Sequence, residues 1–417
     1  MPDSSDASRP RAHPIVLAVA LSLGAAISLG ITRFAYALLL PVMRDDLAWS
    51  YTLAGAMNTV NAAGYLAGAL MTPLLMRRLG TAAVLLWGAA LASVFMALSG
   101  FFIEAHPLLL QRFLAGVASA YVFISGGLLA ARIGSRVPRQ AGLVLGIYYG
   151  GVGTGIALST LAIPLLLAAA RSAPHGWRWA WWGLAGLCVL ATLVLLWPAR
   201  LLPEQELSTH AGQSRKADLT QKLPWLAMAP MLAGYTLFGV GYIGYMTFVI
   251  ALLRDQGASG TAVTVFYTLL GLAVIASARI WARLLDKARG GGALALLNAL
   301  LGVATLLPVL TRAWPVVLAS GLLFGAVFLS LVASTTAFVR HNLPESQWAA
   351  GISAFTILFA LGQIVGPTVV GWIADGEGGL AHGFIYSAAA LWLGALVAWR
   401  QRSLGIDRKT AAEDSGR

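Results

Sequence analysis

Charge is scarce in this chain. Of its 417 residues, 11% are Asp, Glu, Lys or Arg, against about 25% in a soluble domain, while 59% are hydrophobic. That balance excludes a water-soluble fold. Cysteine is nearly missing as well: the single Cys188 sits in an apolar run, which rules out a disulfide framework or a thiolate metal site. Phosphate-loop, metal-ligand and catalytic-triad patterns are lacking. Gly150 to Gly155 is glycine-rich, but it lies within an apolar stretch and no lysine–hydroxyl pair follows it, so nucleotide binding is not expected. With no convergent acid, base or metal set, neither enzymatic activity nor a cofactor or metal is expected.

What the chain does contain is long apolar runs. Twelve recur, at 15–43, 51–76, 81–103, 107–131, 140–168, 178–197, 225–252, 261–285, 292–311, 314–339, 347–373 and 380–399. Each is about 20 residues or more, enough to cross a bilayer. Backbone polar groups in hydrocarbon must be satisfied within their own segment, so each run reads as a helix. Arg9 and Arg11 ahead of the first run imitate a signal peptide, but the run continues past Arg33 to Met43 and eleven more follow. The expected class is an all-α integral membrane protein with twelve transmembrane helices.

The net charge of +12 does not call for nucleic acid, because the basic residues fall in alternate loops as the positive-inside rule requires. With both termini in the cytoplasm, 21 of the 28 Lys and Arg lie inside and five, Arg44, Arg171, Arg178, Arg254 and Arg312, lie outside. The remaining two, Arg33 and Arg112, fall within spans. A multi-pass protein of the bacterial inner membrane is expected, in contact with the lipid bilayer and acting as a monomer.

The longest loop, 198–224, is rich in Glu, Gln, Ser, Thr, Lys and Arg and separates six helices from six. The expected organisation is a cytoplasmic tail (1–14), a six-helix half (15–197), a cytoplasmic linker (198–224), a second six-helix half (225–399) and a second tail (400–417). At a fixed offset of 209 residues the halves fall into register: Gly116 on Gly325, Gly153 on Gly362, Arg112 on Gly321 and Arg77 on Asp286. That is a parallel repeat.

Several local stretches then resemble the major facilitator superfamily. Gln111-Arg112-Phe113-Leu114-Ala115-Gly116 resembles its span-four arginine motif, Gly176-Trp177-Arg178-Trp179-Ala180 the turn opening span six, and Gly362-Gln363-Ile364-Val365-Gly366-Pro367 its span-eleven signature. Thr32-Arg33-Phe34-Ala35-Tyr36, Leu40-Pro41-Val42-Met43 and Leu237-Phe238-Gly239-Val240-Gly241-Tyr242-Ile243 are similar to the YbfB/YjiJ-like bacterial branch. The resemblance implies the major facilitator fold, a transport class, and a site between the halves near the midplane. It also implies a gating loop at Arg77, Arg78 and Gly80 and its counterpart at Asp286 and Lys287. The usual aspartate is missing from the first of these, where Arg77-Arg78-Leu79-Gly80-Thr81 stands.

All sixteen acids can be placed at span ends, loops or tails, which leaves Arg33 and Arg112 without a carboxylate in the membrane. Each costs about 2.5 to 3.5 kcal/mol at a helix centre, and an anionic substrate would offset that. Arg33 lies about 12 Å inside Pro41 and Arg112 about 7 Å inside Pro107, at similar depth. A structural role bonding helix carbonyls is the alternative for Arg112. Tyr235, Phe238, Tyr242 and Tyr245 share one helical face, and the offset sets Tyr242 against Arg33. Substrate contacts are therefore expected at Arg33, Tyr36, Arg112, Tyr242 and Tyr245, with polar support from Asn58, Asn61 and Gln363. A tyrosine stripe that only packs against its neighbours is the competing account.

His13, His106, His175, His210, His341 and His382 all lie in loops, tails or span ends, so no proton relay is visible. A coupling proton would use rim acids such as Glu104, Asp46, Asp286 and Asp375, or travel on the substrate. The leading expectation is a secondary active or facilitative transporter of a small organic anion, such as a carboxylate. Export of amphipathic or drug-like compounds is the alternative. A non-transporting sensor would need a soluble output domain, which neither short tail offers.

Overall fold

The computed structural model describes residues 13–202 and 223–404. The expected linker and both tails therefore lie largely outside the described residues. Among the described residues, twelve helices are long and apolar enough to span a membrane. They are α1 (Pro14–Asp46), α2 (Tyr51–Leu79), α3 (Thr81–Ser99), α4 (Ala105–Arg136), α5 (Ala141–Ala169), α6 (Trp177–Leu201), α7 (Trp225–Asp255), α8 (Gly260–Ile280), α9 (Gly292–Leu310), α10 (Trp314–Asn342), α11 (Trp348–Ala374) and α12 (Gly379–Trp399). Their boundaries follow local chemistry. Ser50 and Ser259 each accept a hydrogen bond from a first-turn amide of α2 and α8. Gly80, at φ 87°, supplies the left-handed residue that separates α2 from α3 without any longer loop.

Outward-facing positions carry large apolar side chains, among them Leu70, Trp87, Leu165, Leu226, Trp372 and Trp399. Such a surface suits lipid. Inside, the same helix pairings recur in both halves: α2 with α4, α3 with α4 and α6, and α1 with α5 and α6, matched by α8 with α10, α9 with α10 and α12, and α7 with α11 and α12. The halves meet through α2–α11 and α5–α8, pairs that exchange under the repeat, and through α1–α7.

Glycine permits these crossings. A Cβ at Gly55 of α2 would collide with the Pro367 carbonyl of α11, and one at Gly153 of α5 with the Gly271 carbonyl of α8. Hydrogen bonds add register. Asn58 of α2 donates to Thr247 of α7 at 2.9 Å, and Tyr267 of α8, which stands 209 residues further on, donates to the Phe34 carbonyl of α1 at 3.0 Å. Thr59 reaches the Ile364 carbonyl at 2.8 Å. These half-to-half bonds all lie on the side of the bundle away from the termini.

The turn opening α6 acts as a fastener within the first half. Trp177 donates through Nε1 to Asp46 at 2.6 Å, and Arg178 through Nε to the Gly100 carbonyl at 2.6 Å, which joins the ends of α1, α3 and α6.

Candidate functional site

Helix α1 is interrupted at its centre. Residues Ala26–Phe34 form a π-helical segment between two α-helical stretches, with the Ala35 amide bonded to the Gly30 carbonyl at 3.1 Å. Such widened turns are rare and frequently sit at functional sites. Neighbours hold this one in place: Ser28 and Ser119 of α4 exchange hydroxyl-to-carbonyl bonds at 2.8 and 2.9 Å, and Gly30 packs directly against Gly155 of α5.

Arg33 lies on this segment and is 3% exposed. Its Nε and Nη2 are buried with no hydrogen-bond partner, and no carboxylate pairs with it among the described residues. These two nitrogens form one edge of the guanidinium, the edge that a carboxylate bridges with two parallel bonds. Arg33 is also close enough to Arg112 and to the phenols of Tyr65 and Tyr242 to interact electrostatically with them.

Arg112 is placed differently. Nη1 donates to the Thr32 carbonyl at 2.6 Å and Nη2 to Asn58 Oδ1 at 3.0 Å, while the guanidinium lies 5.0 Å from the Tyr36 ring and 5.7 Å from that of Trp181. Two of its three nitrogens are thus held by protein groups. Asn61 donates to the Arg112 carbonyl at 2.9 Å, and Asn58 bridges Arg112 to Thr247. Tyr36 is buried, and its hydroxyl is bonded to the Ala54 carbonyl at 2.9 Å.

On the opposite half the tyrosine face of α7 is a stacked column. Tyr235, Phe238 and Tyr242 stack in succession, with centroids 5.5 and 4.7 Å apart, and Phe359 of α11 stacks against all three. Phe328 of α10 caps Tyr242 at 5.2 Å, and the Tyr242 hydroxyl donates to Gln363 Oε1 at 2.7 Å. Tyr245 faces α10 instead, stacked on Phe324 at 4.0 Å and bonded to Ser320.

The residues expected to form the gating loop lie at the opposite end of their helices from the clasp between α2 and α11, away from this group. Arg77, Arg78, Asp286 and Lys287 are exposed, and Gly80 is the turn residue after α2.

Three aromatic residues that sequence reasoning missed belong to the same region. Tyr65 of α2 contacts Phe123 of α4, and Phe123 contacts Tyr149 of α5, with centroids 6.5 and 5.6 Å apart. Tyr65 and Phe123 are half-buried and Tyr149 is 39% exposed. Neither phenol hydroxyl has a hydrogen-bond partner among the described residues. Three single aromatics on three helices carry no sequence signal; only the α2–α4 and α4–α5 packing assembles them.

At the face away from the termini, the second half clasps the first. Asp375, just past α11, accepts from the Tyr51 and Thr52 amides at 2.6 and 2.9 Å and from the Thr52 hydroxyl at 2.6 Å. It thereby caps the N-terminus of α2, where a negative charge is favoured. Burial pushes the Asp375 carboxyl up, but the Thr52 hydroxyl, the two amides and nearby Arg44 outweigh it and hold the group below the usual carboxylate range. The Tyr51 hydroxyl bonds Asp255 at the end of α7 at 2.7 Å, and Arg44 lies 3.9 Å from the Tyr51 ring.

Comparison with known proteins agrees with this architecture. Residues 25–399 match the family described as "uncharacterised MFS-type transporter YbfB". The inner membrane transport protein YdhP of Escherichia coli K12 is 23% identical over 391 residues, which cover 90% of this chain and 92% of that protein. Among solved structures, a bacterial homologue of the human lysosomal transporter Spinster aligns with a TM-score of 0.69 at 15% identity, covering 94% of this chain and 99% of the other. The nucleoside transporter NupG aligns at 0.67 and 12% identity, covering 93% and 98%. The fold and the family are those of multi-pass membrane transporters, and the chain belongs to the YbfB-type family of the major facilitator superfamily.

Proposed function

We propose that this transporter moves a small organic anion, such as a carboxylate, across the bacterial inner membrane by alternating access of its two halves, with both termini in the cytoplasm. The observation that carries the reading is the Nε/Nη2 edge of Arg33: deep in the bundle, 3% exposed, and matched by no acceptor. A buried guanidinium with an open edge is costly unless a ligand fills it. With Arg112 bonded to Thr32 and Asn58, an anion at Arg33 meets two positive charges and no competing protein carboxylate. The π-helical segment gives α1 a second way to arrange its backbone at the site, as a carrier that must alternately hold and release cargo requires.

In this orientation, the bonds of Asp375 and Asp255 to the start of α2 hold the outer ends of the halves together. A coupling proton, where one is used, travels with the carboxylate, since the spans offer no acid or histidine at mid-depth.

Purified protein in liposomes, screened against labelled carboxylates, tests the reading. Transport of the best substrate is abolished by Arg33→Gln; if it persists at the wild-type rate, the site is wrong. Export of amphipathic compounds is the second reading, favoured by the accessible rings of Tyr65, Phe123 and Tyr149. Drug resistance on overexpression that survives Arg33→Gln would select it.

A further inference from the structure

We infer that Gln401, just past the end of α12, is a positioning residue of this transporter: its carboxamide stands in for one backbone rung of α7 beside Pro230 and so sets where the rest of α7, with its Tyr235–Phe238–Tyr242 column, begins. The inference does not depend on the cargo.

Gln401 is buried, with 6% of its surface exposed. Its Nε2 donates to the Ala227 carbonyl at 2.9 Å, and its Oε1 accepts from the Met231 amide at 3.2 Å. Those two groups, four residues apart, are the acceptor and donor that an unbroken α-helix joins directly. Pro230 lies between them. A proline inside a helix has no N–H and crowds the carbonyl four residues back, which loosens the ladder where a side chain can then insert. A carboxamide suits the gap because it offers a donor and an acceptor on one planar group. The second N–H of Nε2 is used as well, on the Arg402 carbonyl at 2.8 Å.

The residues after α12 hold this group in place. The Gln401 carbonyl accepts from the Gly291 amide at 2.9 Å, the Leu404 amide donates to Asn342 Oδ1 at 2.7 Å, and Asn342 Nδ2 donates to the Arg289 carbonyl at 2.7 Å. Gly291 leaves no room for a Cβ, which would meet the Ala398 carbonyl. One short segment thus ties the start of α7 to the start of α9 and the end of α10, at the end of the bundle opposite the Asp375 clasp. α7 takes its origin from that frame.

The first half has neither part of this device. At the 209-residue offset Pro230 falls on Leu21, and Gln401 falls on Thr192, which lies inside α6 and bonds the Cys188 carbonyl of its own helix at 2.7 Å. Conversely, the π-helical Ala26–Phe34 falls on Tyr235–Ile243, which is α-helical. The first helix of one half is therefore irregular at Arg33, and that of the other at its start. From Leu232 to Asp255, α7 carries the column and reaches Tyr51 through Asp255. That stretch behaves as a rod whose near end Gln401 fixes.

The experiment compares full-length Gln401→Leu, Pro230→Ala and the double variant in lipid nanodiscs. Gln401→Leu is expected to speed hydrogen exchange of the α7 peptide containing Met231 about tenfold and to lower the melting temperature. Pro230→Ala lets the Ala227–Met231 rung close by itself, so the double variant is expected to regain slow exchange and most of the melting temperature. Spin labels at Leu226 and Arg254, about 42 Å apart along α7, are expected to give a broader distance distribution in Gln401→Leu that narrows again in the double variant. An equal loss of melting temperature from Gln401→Leu with and without Pro230→Ala would reduce Gln401 to a loop tie and overturn the inference, as would unchanged exchange at Met231. If Gln401→Leu alone does not fold, the double variant decides: folding supports the inference and failure to fold overturns it.

Discussion

Arg112 on α4 donates to the carbonyl of Thr32 on α1 at 2.6 Å, one residue before Arg33. One buried arginine thus secures the backbone that presents the other. Removing Arg112 strands the Thr32 carbonyl and the Asn58 amide oxygen, each a loss of about 1 to 3 kcal/mol when buried. Arg112→Gln is therefore expected to lower stability by about 2 kcal/mol or more, read as a drop in melting temperature in detergent. Arg33→Met removes a cation whose donors have no partner, so its melting temperature stays equal or rises while transport is lost. A larger drop for Arg33→Met than for Arg112→Gln would contradict this division of roles.

The clasp of Asp375 on α2 joins residues 323 positions apart, so it reports directly on how the halves sit. Asp375→Asn weakens three bonds at a helix N-terminus without changing size. Such charge–dipole contacts are worth about 0.3 to 1 kcal/mol, more when partly buried, enough to shift the balance of two conformers roughly two- to fivefold. Spin labels at Asp45 and Glu377 are expected to show a larger long-distance population in Asp375→Asn, and Thr52→Val is expected to move it the same way by a smaller amount. Unchanged distance distributions would mean that the clasp does not bias the gate.

Much of this architecture is legible in the sequence. Twenty-residue apolar runs leave few alternatives to helices, and a charge as rare as Arg33 or Arg112 inside one stands out by its cost. Their division of labour was not legible. Whether Arg112 meets a backbone carbonyl depends on the π-helical segment at Ala26–Phe34, whose residues, mostly apolar with Ser28, Thr32 and Arg33 as the polar ones, carry no mark that sets them apart from an α-helix. Asp375 was recognisable as an acid at the rim, but its target at Tyr51 and Thr52 is brought to it only by the α2–α11 crossing. Tyr245 shares a helical face with Tyr242 by spacing, yet packing turns it toward Ser320. Periodicity gives the face of a helix, whereas the neighbour across that face is decided by tertiary contacts.

Glycines at the half-to-half crossings should behave differently from those within one half. Gly55→Ala and Gly153→Ala place a Cβ against carbonyl oxygens of α11 and α8, contacts that exist only while the halves are packed as here. Both are expected to disfavour this conformer and slow transport with little loss of melting temperature. Gly64→Ala meets the Phe113 carbonyl within the first half, so it should destabilise every conformer. Gly142, with open space around its Cβ position, tolerates Ala with no effect on either measurement. Equal thermal destabilisation by Gly55→Ala and Gly64→Ala would show that α2–α11 is a permanent contact.

The pH response of the clasp follows from the direction of the Asp375 shift. In the closed gate this carboxyl is held below the usual range, chiefly because the Thr52 and Tyr51 donors outweigh the effect of burial. Once the gate opens those donors leave, and the group titrates near its ordinary value of about 3.9. A group depressed in one state stabilises that state above the ordinary value and loses the contribution as pH falls through the depressed one. Closure is therefore flat from about pH 8 to 5 and weakens only below about pH 4. Asp375 acts as a fixed anion over that range, so any transport optimum between pH 5 and 8 belongs to the cargo or another group. The same pair of spin labels, with Cys188 buried as the single native thiol, measures this: distances constant from pH 8 to 5, lengthened at pH 3, and long throughout in Asp375→Asn. A midpoint near pH 6 or 7 that vanishes in Asp375→Asn would instead make this aspartate a physiological proton sensor.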